Sequence, residues 1–128
     1  EKRYWQQLMH RFEPIAGFGL LSRTRLEQRD LDTTTDTAHR FRQMIRLEKQ
    51  LSPSSPTQLL VMDEFFINLN NTENGPQSGF EQNRLFLGVA LFPTKATRLE
   101  LGYVNQYIDG ANVNSMNHIV SSTLFIAF

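Results

Sequence analysis

The chain has 128 residues, 13 basic and 13 acidic side chains and no cysteine. That length holds one domain, and the balanced charge gives no field that would draw it to nucleic acid. Without cysteine there is no thiolate metal site, disulfide framework or thiol nucleophile. No stretch approaches the roughly 20 apolar residues of a spanning helix, but strands that cross a bilayer alternate and need no such run.

Seven segments show the two-residue period of β-strands: Tyr4–Phe12, Phe18–Arg29, Ala38–Leu51, Gln58–Leu69, Phe80–Phe92, Thr97–Ile108 and Met116–Phe128. A helix competes only over Thr35 to Leu51, where Phe41, Ile45, Leu47 and Leu51 fit a strand period at least as well. Between the segments lie EPIAG, DLDTTTDT, SPSSPT, NNTENGPQSG, PTKA and DGANVNS. Pro, Gly, Asn and Asp favour such turns through fixed or positive φ and local side-chain bonding. The expectation is an all-β fold, one antiparallel up-and-down meander in a single domain over residues 1–128.

Residue parity assigns two faces to each strand. In the second segment Phe18, Leu20 and Leu26 oppose Arg23, Arg25, Glu27 and Arg29. In the third, Phe41, Ile45 and Leu47 oppose Arg40, Arg42, Arg46 and Glu48. The fourth resists, because Asp63 falls among Leu59, Val61, Phe65, Ile67 and Leu69, while Glu64 falls among Leu60, Met62 and Phe66. A bulge near Asp63, or a position near a membrane interface, would reconcile it. The fifth sets Leu85, Leu87, Val89 and Leu91 against Gln82, Arg84, Gly88 and Ala90. The sixth sets Leu99, Leu101, Tyr103 and Tyr107 against Arg98, Glu100, Gly102 and Gln106. The seventh aligns Val120, Ser122, Leu124, Ile126 and Phe128.

Segments of about eleven residues can cross a bilayer at a tilt. The connections alternate in length, as periplasmic turns and external loops do in outer-membrane barrels. The external loops would be those around Asp32, Asn74 and Ala111; SPSSPT is longer than a minimal periplasmic turn. Leu124, Ile126 and the terminal Phe128 resemble the signal by which such barrels are recognised for assembly. These features favour part of a transmembrane β-barrel, with Arg23, Arg25, Glu27, Arg40, Arg42, Arg46, Glu48, Arg84, Arg98 and Glu100 lining its lumen. Seven strands is an odd number, so at least one more is expected upstream, for roughly eight to twelve in all. A soluble lipocalin-like barrel that binds an apolar ligand is the alternative, with the apolar rows inside.

The stretch GFEQNRLFLGVALFPTKATRLELGYVNQYIDGANVNSMNHIVSSTLFIAF resembles the C-terminal part of family 2490 of the bacterial domains of unknown function. GFEQNRLF, LELGYVNQY, the MNH that opens the last strand and the terminal Phe128 carry the likeness. RTRLEQR and DEFFINLN add to it upstream. The resemblance implies an outer-membrane β-barrel with no assigned activity, longer than this chain at its N-terminus. Membrane lipid and the outer-membrane assembly machinery would then be its partners.

Candidate chemistry is sparse. A lipid-modifying barrel enzyme would need a Ser–His pair, but His118 and Ser121 fall on opposite strand faces. Ser122 shares a face with His118 four residues away, beyond the ~3 Å of a hydrogen bond. His118 is expected at the external rim with Asn117. His10 and His39 have no second ligand at metal-binding spacing, and Asp63 and Glu64 point to opposite faces. No catalytic residue, metal or cofactor is expected. The arginines either favour anions in a lumen or pair with Glu27, Glu48 and Glu100 as a cross-strand ladder. Asn70, Asn71, Asn74 and Asn112 offer polar loop surface to a partner. Tyr103, Tyr107 and Phe92 would belong to interfacial aromatic girdles.

Overall fold

In the computed structural model, residues 1–110 and 113–128 are described. Seven strands follow one another: β1 (Lys2–Arg11), β2 (Phe18–Asp30), β3 (Thr37–Ser52), β4 (Ser55–Asn68), β5 (Gly79–Thr94), β6 (Thr97–Ile108) and β7 (Ser115–Ile126). They form one sheet in sequence order, each antiparallel to the next. The segment with competing helix signal is the 16-residue β3. Among the described residues β1 and β7 do not pair, so the sheet is not closed. The loop position Ala111, and with it Asn112, lies outside the described residues.

The connection that read as too long for a turn is short. β3 runs to Ser52 and β4 begins at Ser55, leaving Pro53 and Ser54 as the turn. β5 and β6 are joined as tightly, through Lys95 and Ala96. At the opposite end the connections span residues 31–36, 69–78 and 109–114. One rim therefore carries the two tight turns and the six-residue connection over residues 12–17, narrowed by the Ile15–Phe18 bridge, and the other carries the loops over 31–36, 69–78 and 109–114.

The hairpins are staggered. The last pairs before the three loops are Asp30–Thr37, Asn68–Gly79 and Ile108–Ser115. Asn68 lies opposite Arg40, and Ile108 falls in the row of Gln82, Phe66 and Arg42. The rim thus moves from Thr37 to Arg42, five residues across four strands. At about 3.3 Å per residue against 4.8 Å per strand, that stagger corresponds to strands tilted by about 40°.

Parity predicted from the sequence holds through β2, β3, β4 and most of β5 and β6. β4 is regular through Asp63, which faces Ile45 and Leu85 across its two ladders. A bulge near Asp63, one of the two ways of reconciling this strand's faces, is absent. It lies instead in β5, where Phe66 pairs with Gln82 and Ile67 with Phe80, leaving Glu81 as the extra residue. The register slip turns Phe80 to the same face as Leu85 and Leu87 and lets Glu81 join the charged face.

The charged face is the concave one. Ion pairs cross it between strands that are not neighbours, such as Arg40 on β3 with Glu81 on β5 and Arg46 on β3 with Glu100 on β6. The convex face is apolar and exposed, with Leu87 at 46%, Leu101 at 37% and Leu124 at 55% accessibility. The small buried core belongs to the concave side: Met44, Leu60, Phe66, Ala90 and Val104.

Tight curvature there has a local cause. Gly88 and Gly102 pair directly across β5 and β6. A Cβ on Gly102 would sit 2.5 Å from the Phe86 ring and 2.6 Å from the Leu87 carbonyl oxygen. The ring lies over the bare backbone of both glycines, a packing that only hydrogen side chains allow.

Candidate functional site

Two charged layers and one apolar layer fill the concave face. The layer nearer the loops is built on two carboxylates. Glu27 on β2 is completely buried and accepts hydrogen bonds from Arg40 Nη2 at 2.8 Å and Arg42 Nη1 at 2.6 Å, with Arg25 Nη1 3.9 Å away. Glu64 on β4 accepts from Arg42 Nη2 at 3.0 Å and from Arg23 Nη2. Arg40 also donates to Glu81 at 3.0 Å. The Arg40 and Arg42 guanidiniums sit 5.1 and 4.4 Å from the Phe66 ring centre, where the ring's negative face adds to their stabilisation. At the rim above this layer, hydrogen bonds from Arg29 and Arg3 hold the Glu1 carboxyl down to about 2.

The layer nearer the turns is smaller. Arg46 Nη2 donates to Glu100 Oε1 at 3.3 Å, and its Nε lies 2.8 Å from Glu48. Arg98 Nε donates to the other oxygen of Glu100 at 3.2 Å and stacks 5.5 Å from the Phe92 ring. Phe92 is therefore packed under a concave-face arginine rather than standing in a girdle toward the outside. Between the two layers lie Met44, Leu60, Met62, Phe86 and Val104.

Of the ten arginines and glutamates selected by parity, nine make ion pairs on this face: Arg23, Arg25, Glu27, Arg40, Arg42, Arg46, Glu48, Arg98 and Glu100. Arg84 is on the same face, but no ion pair to it exists among the described residues. Its ladder neighbours are Glu64 and Gln106, and both oxygens of Glu64 are already taken. Glu64 and Glu81 complete the network without having been selected. Glu64 was obscured by the ambiguous fourth strand. Glu81 sits at odd parity beside Leu85, and only the break in phase at Phe80 betrays the bulge that turns it inward.

The convex face carries polar clusters at a consistent level. Gln43 accepts from Thr24 at 2.6 Å and donates to Ser22 at 2.9 Å. Asn83 donates to Asp63 at 2.8 Å. Tyr103 is hydrogen-bonded to His118 Nδ1, and Asn105 lies beside the Tyr103 hydroxyl at 3.4 Å. His118 is thus inside β7 on the convex face, while Asn117 reaches Gln106 on the concave one. Aromatic pairs flank these clusters: Phe41 with Phe65 and Phe80 with Tyr107, each with ring centres 6.2 Å apart.

Counted from the turn end, Asp63 is eight residues above Ser55 and Asn83 eleven above Thr94. At a 40° tilt those counts are heights of about 20 and 27 Å. Below that level the convex face carries Leu47, Leu59, Val61, Leu87, Leu99, Leu101 and Leu124, with small hydroxyl residues such as Ser122, His10 toward the end of β1, and Lys49 near the turns, its ammonium 4.6 Å from the Phe18 ring centre.

Among the described residues no group of three His, Asp or Glu side chains is placed to hold a metal ion. No helix is long and apolar enough to cross a membrane, which bears only on helical spans. Leu124, Ile126 and Phe128 are exposed at the outer edge of β7 and just beyond it.

Fold and site together define an all-β meander with a charge-paired concave face and an apolar convex one. The chain belongs to the DUF2490 family of proteins of unknown function, whose model matches residues 1–117. It is 30% identical over 130 residues to an uncharacterized protein of Methylorubrum extorquens, a match that takes in all of this chain and 57% of that protein. The chain therefore spans little more than half the length of this curated relative. No solved structure matches it.

Proposed function

We propose that the chain is part of a transmembrane β-barrel of the bacterial outer membrane, with a structural or passive-transport role. The convex face carries the argument. Between the tight turns and the polar–aromatic level lies a zone about 20–27 Å high of mainly apolar side chains, with Lys49 close to the turn end, against the roughly 25 Å apolar band of outer-membrane barrels. Asp63, Asn83, Asn105 and His118 then meet headgroups and water instead of acyl chains, and Tyr103 and Tyr107 stand at the interface with them. The tilt of about 40° lies within the 35–45° that closed barrels adopt.

The open edges of β1 and β7 would leave backbone groups unpaired in lipid, which the bilayer penalises heavily. Strands beyond these seven, from the longer protein, close the sheet in this reading. Its loops face outward, its tight turns face the periplasm, and Leu124, Ile126 and Phe128 present themselves to the assembly machinery.

Within the layers of the concave side seven arginines (Arg23, Arg25, Arg40, Arg42, Arg46, Arg84 and Arg98) face five glutamates (Glu27, Glu48, Glu64, Glu81 and Glu100), and at the rims Arg3, Arg11 and Arg29 add to the cations against Glu1. That surplus gives any passage a preference for anions. The ion pairs and the apolar layer also fill space, which favours a narrow passage or none. The soluble lipocalin-like alternative requires the apolar rows inside, opposite to the curvature of this sheet.

Fractionation of cells that express the full-length protein tests the reading. Recovery in the outer membrane, with faster gel mobility before heating than after, is expected. Recovery in the soluble periplasm would overturn it.

A further inference from the structure

We propose that Arg84 anchors a binding site for an apolar-chain carboxylate on the concave face. The site rests on the barrel reading only in placing the cavity inside a lumen. Arg84 opens onto a cavity walled by Met62, Phe86 and Val104 and bordered by Ser121, Thr123 and the Arg46–Glu100 pair, whose carboxylate is already held by Arg46 and Arg98.

Three observations converge on it. The first is charge. A guanidinium is charged at every accessible pH, and its cross-strand carboxylate, Glu64, already accepts three hydrogen bonds from Arg23 and Arg42 and none from Arg84. Arg84 therefore keeps its donors for a ligand, and its planar fork suits a carboxylate. The second is the wall. Met62, Phe86 and Val104 form an apolar surface that offers nothing to a bare inorganic anion but gains from burying a hydrocarbon chain. The third is rigidity. Phe86 is clamped against Gly88 and Gly102, so the wall exists before the ligand arrives. The Ser121 and Thr123 hydroxyls, on the inward face of β7, add donors on the far side.

A polar head beside Arg84 and a chain along the layer between the charged zones match the cavity's two halves. Neither half alone explains it: an isolated anion site would not be walled by Met62 and Phe86, and an apolar plug would not carry an arginine lacking a carboxylate.

Octanoate titrated calorimetrically into the full-length protein in amphipol is the test, with octanol and inorganic phosphate as the single-feature probes. Octanoate is expected to bind saturably at one site, with octanol and phosphate at least tenfold weaker. Arg84→Gln should weaken octanoate at least tenfold while leaving octanol unchanged. Ser121→Trp, which fills the cavity from its edge, should abolish binding by a route that keeps the arginine. Both variants are checked for heat-modifiable mobility, so a folding failure is recognised, and either variant suffices to decide. Equal binding of octanoate and octanol, unaltered affinity in Arg84→Gln or Ser121→Trp, or no saturable binding by the wild type would overturn the proposal. Fractionation reads the membrane assignment separately, so a soluble protein that binds octanoate would sink that assignment and keep this site.

Discussion

Arg46 on β3 reaches Glu100 on β6, 3.3 Å away, across two intervening strands. A flat sheet would hold strands three apart at about 14 Å, so this pair exists because the sheet curls around its charged face. Curvature and pairing support each other. The tightly packed glycines let the backbone bend, and the bend brings guanidinium and carboxylate groups close enough to neutralise one another where water is scarce.

Glu27 is the most exposed to loss of that balance. Its side chain is wholly buried between Arg40 and Arg42. Glu27→Gln leaves two buried guanidiniums short of a counter-charge, and removing one partner of a buried pair costs about 3–5 kcal/mol. The same change at Glu48, 19% exposed and paired only with Arg46, should cost less than about 1 kcal/mol. Urea titration of each refolded variant in phospholipid vesicles measures both.

Position on the convex face should decide the cost of a new charge. Leu101→Arg lies in the apolar zone and is expected to destabilise the lipid-inserted protein by about 2–4 kcal/mol. Asn105→Arg, two strand periods higher beside His118, should cost about 1 kcal/mol or less. Equal costs in the same vesicle titration would remove the apolar zone's claim to face acyl chains.

Gly102→Val probes the bend. Its Cβ would meet the Phe86 ring and the Leu87 carbonyl oxygen at distances no real side chain tolerates. Destabilisation of several kcal/mol is expected, consistent with overpacking against backbone that cannot yield. Gly17→Asn, at a turn glycine with φ of 81° and open space around it, should be tolerated within about 1 kcal/mol. Thermal melts of the two variants give the comparison.

Deletion of Phe128 tests the proposed assembly role apart from folding. The residue is fully exposed beyond the last ladder pair, Thr97–Ile126. Its loss should leave refolding into vesicles unchanged and reduce the outer-membrane fraction in cells severalfold. A matched fall in both would mark Phe128 as a packing residue.

Much of this was legible because a strand's period is two. Leu85, Leu87, Val89 and Leu91 against Arg84, Gly88 and Ala90 is a face assignment that needs no coordinates, and all seven strands fall within a few residues of their sequence segments. What parity could not carry is a change of phase. One extra residue at Glu81 swaps the faces of everything beyond it, so strict alternation carried back from Arg84 would put Phe80 and Glu81 on the wrong sides. Burial was equally illegible. Nothing in the pair Asp63–Glu64 says that one is exposed beside Asn83 while the other is closed in by Arg23 and Arg42. That distinction belongs to the curvature, a property of all seven strands together. SPSSPT misled for a related reason: Ser55 and Pro56 look like turn residues but lie in β4.

In its backbone ladders every strand pairs only with the strands before and after it in sequence. Such a molecule is a row of hairpins, and a row can be assembled one zipper tooth at a time. The couplings that skip along the row belong to side chains, led by Arg23, Arg40 and Arg46 reaching to β4, β5 and β6. Erasing those long-range tethers should leave each hairpin intact while uncoupling the row, so that melting would break from one cooperative step into several.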